Sequence, residues 1–311
     1  MMLFADSSRG RPFSKDPAVV KYLNTYWMYY SLPPFDDGRE NDGWAIGIAT
    51  SPDLIEWKKA GEIAPEQSCE AKGICAPGAI VLDGVLHLFY QTYGNGSKDA
   101  ICHATSTDGL HFKRNPTNPV FAPTGDWNNG RAIDADVIAF QGKLFLYFAT
   151  RDPRGEIQLQ GVATAPLGSA FNAEDWTQAC DAPILSPLLP WEGQCIEAAA
   201  TCVRRDLVVM FYAGAYNNWP QQIGCAVSDD GLKFERLFID NPFLPNGEPG
   251  SWNSSESGHP YVFIDEDDRT YLFYQGNNDS GKTWYISQLE VGWIDNEWVP
   301  KLINEAAKPN V

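Results

Sequence analysis

Asp134-Ala-Asp-Val-Ile138, followed by Leu146-Tyr-Phe-Ala-Thr150, is a polar start, an apolar strand, a short turn and an aromatic-rich strand. The same design returns four more times. Asp16-Pro-Ala-Val-Val20 precedes Trp27-Met-Tyr-Tyr-Ser31, and Ala76-Pro-Gly-Ala-Ile-Val81 precedes Leu88-Phe-Tyr-Gln91. Glu197-Ala-Ala-Ala-Thr201 precedes Met210-Phe-Tyr-Ala213, and His259-Pro-Tyr-Val-Phe263 precedes Leu272-Phe-Tyr-Gln275. The starts lie 60, 58, 63 and 62 residues apart. A second signature follows within the units: Ile48-Ala-Thr-Ser-Pro-Asp53-Leu-Ile-Glu-Trp57, His103-Ala-Thr-Ser-Thr-Asp108-Gly-Leu-His-Phe112 and Cys225-Ala-Val-Ser-Asp-Asp230-Gly-Leu-Lys-Phe234. Gly161-Val-Ala-Thr164, leading to Trp176, is a looser copy. It reads as a strand, a tight turn and an outer strand opening with an aromatic that packs between neighbouring sheets. Four strands per unit, five units and a fixed period specify an all-β, five-bladed β-propeller. A sandwich has no reason to repeat at that interval. Residues 1–311 therefore read as a single domain with blades starting near 16, 76, 134, 197 and 259. The segment up to Asp6 is expected to add a strand to the last blade, which ends near Pro300 with no second domain after it.

Composition narrows the function classes. With 44% hydrophobic residues and 11 Trp, 13 Tyr and 16 Phe, the chain has ample material for a core and is not disordered. No apolar run approaches the ~18 residues of a membrane helix. The 23 basic and 40 acidic residues leave a net charge of −17, which argues against nucleic-acid binding. That balance suits a soluble protein acting on a neutral or cationic small molecule. The polar N-terminus carries Asp6, Arg9, Arg11 and Lys15 without an apolar signal segment. Seven cysteines, an odd number without CxxC spacing, fit neither a disulfide framework nor a tetrahedral zinc site. The expectation is a cytoplasmic protein with buried thiols, its oligomeric state open.

In a propeller the first strand of each blade lines the central channel, so Asp16, Ala76, Asp134, Glu197 and His259 converge at one mouth. Three carboxylates and an imidazole in an otherwise apolar register imply a polar pocket, because unpaired buried charges are costly. Such a set suits glycosidic bond cleavage: one carboxylate deprotonates water and another protonates the leaving oxygen. The third raises the acid's pKa by like-charge repulsion.

Lys15-Asp16-Pro17-Ala-Val-Val, Ala132-Ile133-Asp134-Ala-Asp136-Val and Gly258-His259-Pro260 resemble glycoside hydrolase family 43, which comprises β-xylosidases, α-L-arabinofuranosidases and arabinanases on five-bladed propellers. The resemblance runs through the whole chain. It implies Asp16 as general base, Asp134 as pKa modulator and Glu197 as general acid. It also implies that His259 approaches a hydrated cation, often calcium, on the propeller axis. The implied activity is inverting exo-hydrolysis of a terminal pentose from plant cell-wall oligosaccharides. A β-1,4-xylosidase comes first, and an arabinofuranosidase or arabinanase is the alternative. Rival readings are a propeller-type glycoside phosphorylase, which needs a cluster of basic groups for phosphate, and a sugar-binding propeller without catalysis.

Two decoys accompany these motifs. Glu192, in Trp191-Glu192-Gly193, has the Glu-Gly context that the family's acid usually occupies. Glu197 is preferred because Glu197 to Phe211 spans 14 residues, as Asp16 to Tyr30 and Asp134 to Phe148 do; Glu192 is then expected in the loop over the pocket. Arg151-Asp152-Pro153 resembles the Arg-Asp-Pro motif of the related invertase family. It follows an aromatic strand instead of opening one, so it is expected in a turn at the pocket's other rim. The loops before the inner strands supply a sugar-binding mixture of aromatic and polar groups. Trp127 and Arg131 precede Asp134, and Trp191 precedes Glu197. Phe35 and Trp44 lie in the long loop after the first aromatic strand. Asp136 is expected to support Asp134 or an axial water network.

Overall fold

The structure, a computed structural model, describes residues 2–39, 42–294 and 298–303. After β1 (Leu3–Phe4), blade 1 comprises β2 (Lys15–Tyr22), β3 (Thr25–Leu32), β4 (Ala45–Ser51) and β5 (Lys58–Ile63). Blade 2 comprises β6 (Ile74–Leu82), β7 (Val85–Thr92), β8 (Ile101–Ser106) and β9 (Lys113–Arg114). Blade 3 comprises β10 (Ile133–Phe140), β11 (Lys143–Arg151), β12 (Gln158–Pro166) and β13 (Thr177–Gln178). Blade 4 comprises β14 (Ile196–Arg204), β15 (Leu207–Gly214), β16 (Gln222–Ser228) and β17 (Glu235–Arg236). Blade 5 comprises β18 (Glu256–Ile264), β19 (Thr270–Asn277), β20 (Tyr285–Ile294) and β21 (Val299–Leu302). Each blade is an antiparallel meander. The first strands touch in the order β2, β6, β10, β14, β18 and back to β2. β1 pairs with β20 through Leu3–Ser287 and Phe4–Ile286, so the N-terminal segment closes the ring in blade 5 as the sequence implies.

The aromatic after the repeated turn packs onto the preceding blade. Phe112 meets Tyr29 edge-on, Trp176 meets Phe89, Phe234 meets Tyr147, and Trp57 of blade 1 meets Phe273 of blade 5. Ring contacts of this kind supply buried area and orientation together. The turn itself is rigid. Asp53, Asp108 and Asp230 each accept two backbone N–H groups across it.

Every inner strand starts with a β-bulge. One bulged residue is left-handed in each: Asp16, Ala76, Asp134, Ala198 and His259, with φ of 52°, 46°, 54°, 51° and 44°. This conformation is strained for residues with a Cβ and aims the side chain off the strand's normal alternation. Here the structure corrects the sequence register. In blade 4 the left-handed position is Ala198, and Glu197 stands one residue before it, in line with Lys15 of blade 1. Three successive alanines at 198–200 carry no side-chain signal of where the bulge falls, so counting from the aromatics misaligns that blade by one.

The aromatic opposite each bulge needs a small partner on the third strand. Tyr30, Tyr90, Phe148, Tyr212 and Tyr274 face Gly47, Cys102, Gly161, Gly224 and Ser287. A Cβ at Gly224 would sit 2.3 Å from Tyr212 Cζ. In three blades the tyrosine hydroxyl donates to a buried carboxylate that also holds a cation of the outer strand. The sets are Asp6–Tyr30–Lys59, Glu70–Tyr90–Arg114 and Glu192–Tyr212–Arg236. Gly224→Ala should overpack the Tyr212 ring and cost about 1–3 kcal/mol. Urea denaturation checks this as a lowered midpoint with unchanged slope.

Candidate active site

The bulges converge on a cavity of about 300 Å³ lined by Lys15, Asp16, Trp44, Cys75, Ala76, Gln91, Tyr93, Arg131, Ile133, Asp134, Arg151, Gln158, Glu197, Tyr216, Asn217 and His259. Side chains of one blade pin the bulge of the next by accepting its backbone N–H. Gln275 Oε1 accepts from Asp16 at 2.9 Å, Ser31 Oγ from Ala76 at 2.8 Å, and Gln91 Oε1 from Asp134 at 2.7 Å. Gln221 Oε1 accepts from His259 at 3.1 Å. Behind Asp16, the buried Glu256 accepts from Gln275 Nε2 at 2.8 Å, which fixes the amide's orientation.

His259 Nε2 lies 3.4 Å from Asp16 Oδ1 and 3.3 Å from Asp134 Oδ1, so one imidazole bridges two carboxylates. Burial opposes its charge, but Asp16 and Asp134 outweigh burial and push its pKa up to about 9. Burial likewise works to raise Asp16; the His259 and Lys15 charges and a Ser31 hydrogen bond overcome it and hold Asp16 below its usual value. Glu197 goes the other way. Burial and the nearby charge of Asp134 push it up to about 7. Gln158 Nε2 donates to Glu197 Oε2 and Gln221 Nε2 donates to Oε1 at 2.6 Å. Two carboxylates of opposite protonation preference therefore share one cavity, which is the arrangement acid–base chemistry needs.

The cation that the resemblance places near His259 would have to take most of its ligands from water. His259 Nε2 faces two carboxylates, and its buried Nδ1 makes no hydrogen bond among the described residues. Calcium prefers several oxygen donors, yet no cluster of three or more His, Cys, Asp or Glu suited to a metal exists among the described residues.

Of the sugar-binding residues expected from sequence, Arg131 and Trp44 line the cavity, and Trp44 packs against Tyr93 at 5.5 Å. Trp127, Trp191 and Phe35 do not. Trp127 lies against Gly161 and the blade 3 core, filling space the glycine leaves. Trp191 stacks on Tyr212 at 6.0 Å and covers Gly214. Phe35 is sandwiched between the Arg9 and Arg39 guanidiniums at 3.6 and 3.5 Å. Glu192 is fully buried in its latch with Tyr212 and Arg236 and does not overhang the pocket. Asp136 accepts from Thr201 N–H at 2.9 Å on the neighbouring inner strand, because the bulge separates it from Asp134. Arg151 does reach the cavity.

Sequence reasoning missed Lys15, Gln91, Gln158, Gln221, Tyr93, Tyr216 and Asn217. Gln91 and Gln275 carried a signal, since Leu-Phe-Tyr-Gln occurs at 88–91 and again at 272–275. Gln158 and Gln221 carried none, for they stand at or before third strands with no repeated motif.

The family model described as Glycosyl hydrolases family 43 matches residues 10–298. The chain belongs to this family. Among solved structures, a thermostable family-43 glycoside hydrolase superposes with a TM-score of 0.74 at 19% identity, covering 96% of this chain and 95% of that one. The α-L-arabinofuranosidase from Lactobacillus brevis gives 0.71 at 15% identity, covering 93% of each. At these identities the likeness is one of fold. A curated sequence relative, sucrose-6-phosphate hydrolase of Escherichia coli, is 32% identical over 109 residues. That match spans 32% of this chain and 22% of the relative.

If Glu197 must be protonated to act, kcat/KM should fall as pH rises through about 7. Asp134→Asn removes the charge that raises Glu197, so the basic limb should move to lower pH in that variant. Glutamine substitutions at the two glutamates should separate their roles. Glu192→Gln breaks a buried ion pair, costing about 3–5 kcal/mol, while the folded fraction keeps its kcat. Glu197→Gln should keep its melting temperature within a few degrees and lose at least ~10²-fold in kcat.

Proposed function

We propose that this family 43 member is an inverting, exo-acting glycosidase that removes one terminal pentose from an oligosaccharide, β-1,4-linked xylose first and α-L-arabinofuranose second. The observation that carries this reading is the opposite tuning of Asp16 and Glu197 within a single cavity of about 300 Å³. That volume is at the lower end of ligand pockets and suits one sugar ring better than a chain. Trp44 and Tyr93 give the ring an apolar face, and Gln91, Asn217 and Tyr216 offer hydrogen bonds around it. The arabinofuranosidase among the structural neighbours supports a pentose.

In this mechanism Asp16, kept ionised by the His259 cation, takes a proton from the attacking water. Glu197, kept protonated by burial and by Asp134, delivers its proton to the departing glycosidic oxygen. The two amide donors on Glu197 stabilise the carboxylate that this transfer leaves behind. His259 holds Asp16 and Asp134 in place, and its positive charge helps to keep Asp16 ionised. Inversion requires Asp16 and Glu197 to be about 6.5–9.5 Å apart, with a water between base and anomeric carbon.

A panel of nitrophenyl glycosides, assayed with and without EDTA, tests substrate and cation together. Hydrolysis of the xyloside or arabinofuranoside is expected, and a rate that falls with EDTA assigns a cation to the site whereas an unchanged rate excludes one. Asp16→Ala, Asp134→Ala and Glu197→Ala should each lose at least ~10²-fold in rate. NMR of the first-formed sugar should show the inverted anomer; retention would require a covalent intermediate and overturn the assignment of Asp16 as base.

A further inference from the structure

A protein of net charge −17 gathers three of its 23 basic side chains around this one cavity: Lys15, Arg131 and Arg151. They belong to one rim. The backbone N–H of Asn129 bonds to the carbonyl of Arg151 at 2.9 Å, which pins the loop carrying Arg131 against the end of β11. Lys15 faces them from blade 1, its Nζ held 2.8 Å from Asn217 Oδ1 and 4.6 Å above the Trp284 ring.

The two guanidiniums are only partly matched by internal partners. Arg151 donates only to neutral acceptors among the described residues, Gln158 Oε1 at 3.1 Å and the Gly155 carbonyl at 3.2 Å. Arg131 has one carboxylate nearby, Asp99 at 3.5 Å, and its buried Nε makes no hydrogen bond. Lys15 is 3.9 Å from Asp16, a carboxylate already shared with His259. The carboxylates that face Lys15, Arg131, Arg151 and His259 are Asp16, Asp134 and Asp99, with Glu256 acting on Lys15 from behind and Glu197 in the cavity wall. That leaves guanidinium donor capacity of Arg131 and Arg151 without a carboxylate at hydrogen-bond distance among the described residues, and unmatched part-buried donors are costly. A ligand that supplies one negative charge satisfies these donors, and paired guanidiniums suit the fork geometry of an oxyanion.

We propose that Lys15, Arg131 and Arg151 form an oxyanion subsite, so that the cavity takes a sugar together with one carboxylate or phosphate group. The subsite rests on the glycosidase reading and sharpens it: the preferred ligand carries an acidic group, or binds beside a free oxyanion, where composition suggested a neutral or cationic one.

Calorimetric titration of the wild-type protein with D-xylose, D-glucuronate and inorganic phosphate tests it. At least one of the anions should bind roughly tenfold more tightly than xylose. That gain should fall with ionic strength, disappear in Arg131→Met and Arg151→Met, and survive in Arg151→Lys. Preference for glucuronate assigns the charge to the sugar, and binding of phosphate without such preference assigns it to a free oxyanion. Arg151 also holds Gln158, so Arg131→Met and the salt dependence serve where Arg151→Met fails to fold. If neither anion outbinds xylose, or both arginine variants bind anions as the wild type does, the subsite does not exist. Hydrolysis of nitrophenyl xyloside by the same preparation keeps the two readings apart. Anion binding without pentoside hydrolysis removes the pentose assignment alone, and hydrolysis without anion binding removes the subsite alone.

Discussion

The site depends on five β-bulges, four of them held by a side chain from elsewhere in the ring. A left-handed aspartate or histidine is unfavourable by itself, and it persists where neighbouring structure over-determines it. Here the determining contacts are amide and hydroxyl oxygens, three of them reaching from the preceding blade's second strand. The fourth, Gln221, follows β15 in blade 4 and reaches into blade 5. The bulge turns Asp16, Asp134 and His259 toward the axis; an unbroken strand would leave their side chains on the ordinary alternating faces. Pleating and blade packing therefore become chemistry at one position per strand.

Electrostatics within the cavity follows from which blade supplies which group. His259 comes from blade 5 and is placed between carboxylates of blades 1 and 3, so its charge is shared by two partners that cannot separate. Glu197, one residue out of step with them, escapes that cation's nearest reach and feels burial and Asp134 more strongly. The displacement of a single residue in blade 4 separates a carboxylate that holds its proton from one that releases it.

Much of this was legible in the sequence. The aromatic strands and Asp turns recur at near-constant spacing, and these determine blade number, ring closure and the inter-blade packing of Phe112, Trp176 and Phe234. Asp16, Asp134 and His259 were legible for the same reason, standing at a repeated register beside a repeated motif. Glu197 was placed in the right cavity by a count that was off by one, since alanines give no phase. The misread residues were aromatics: Trp127 and Trp191 stand before inner strands, as pocket residues do, but each covers a glycine across the sheet, a relation visible only once the strands are paired. Lys15, Gln158 and Gln221 each occur once, and periodicity cannot flag what does not repeat.

The pairing of β1 with β20 has a consequence for how the chain is made. A ribosome releases blade 1 first and blade 5 last, and the ring has no closing contact until both exist. The cluster around Asp16 needs Gln275 and His259, which emerge only after the four earlier blades. During synthesis the early blades hold a carboxylate whose counter-charge and amide support have not yet been translated. Assembly of the cavity is thus tied to completion of the ring, and a nascent chain lacking blade 5 cannot hold the Asp16 cluster together.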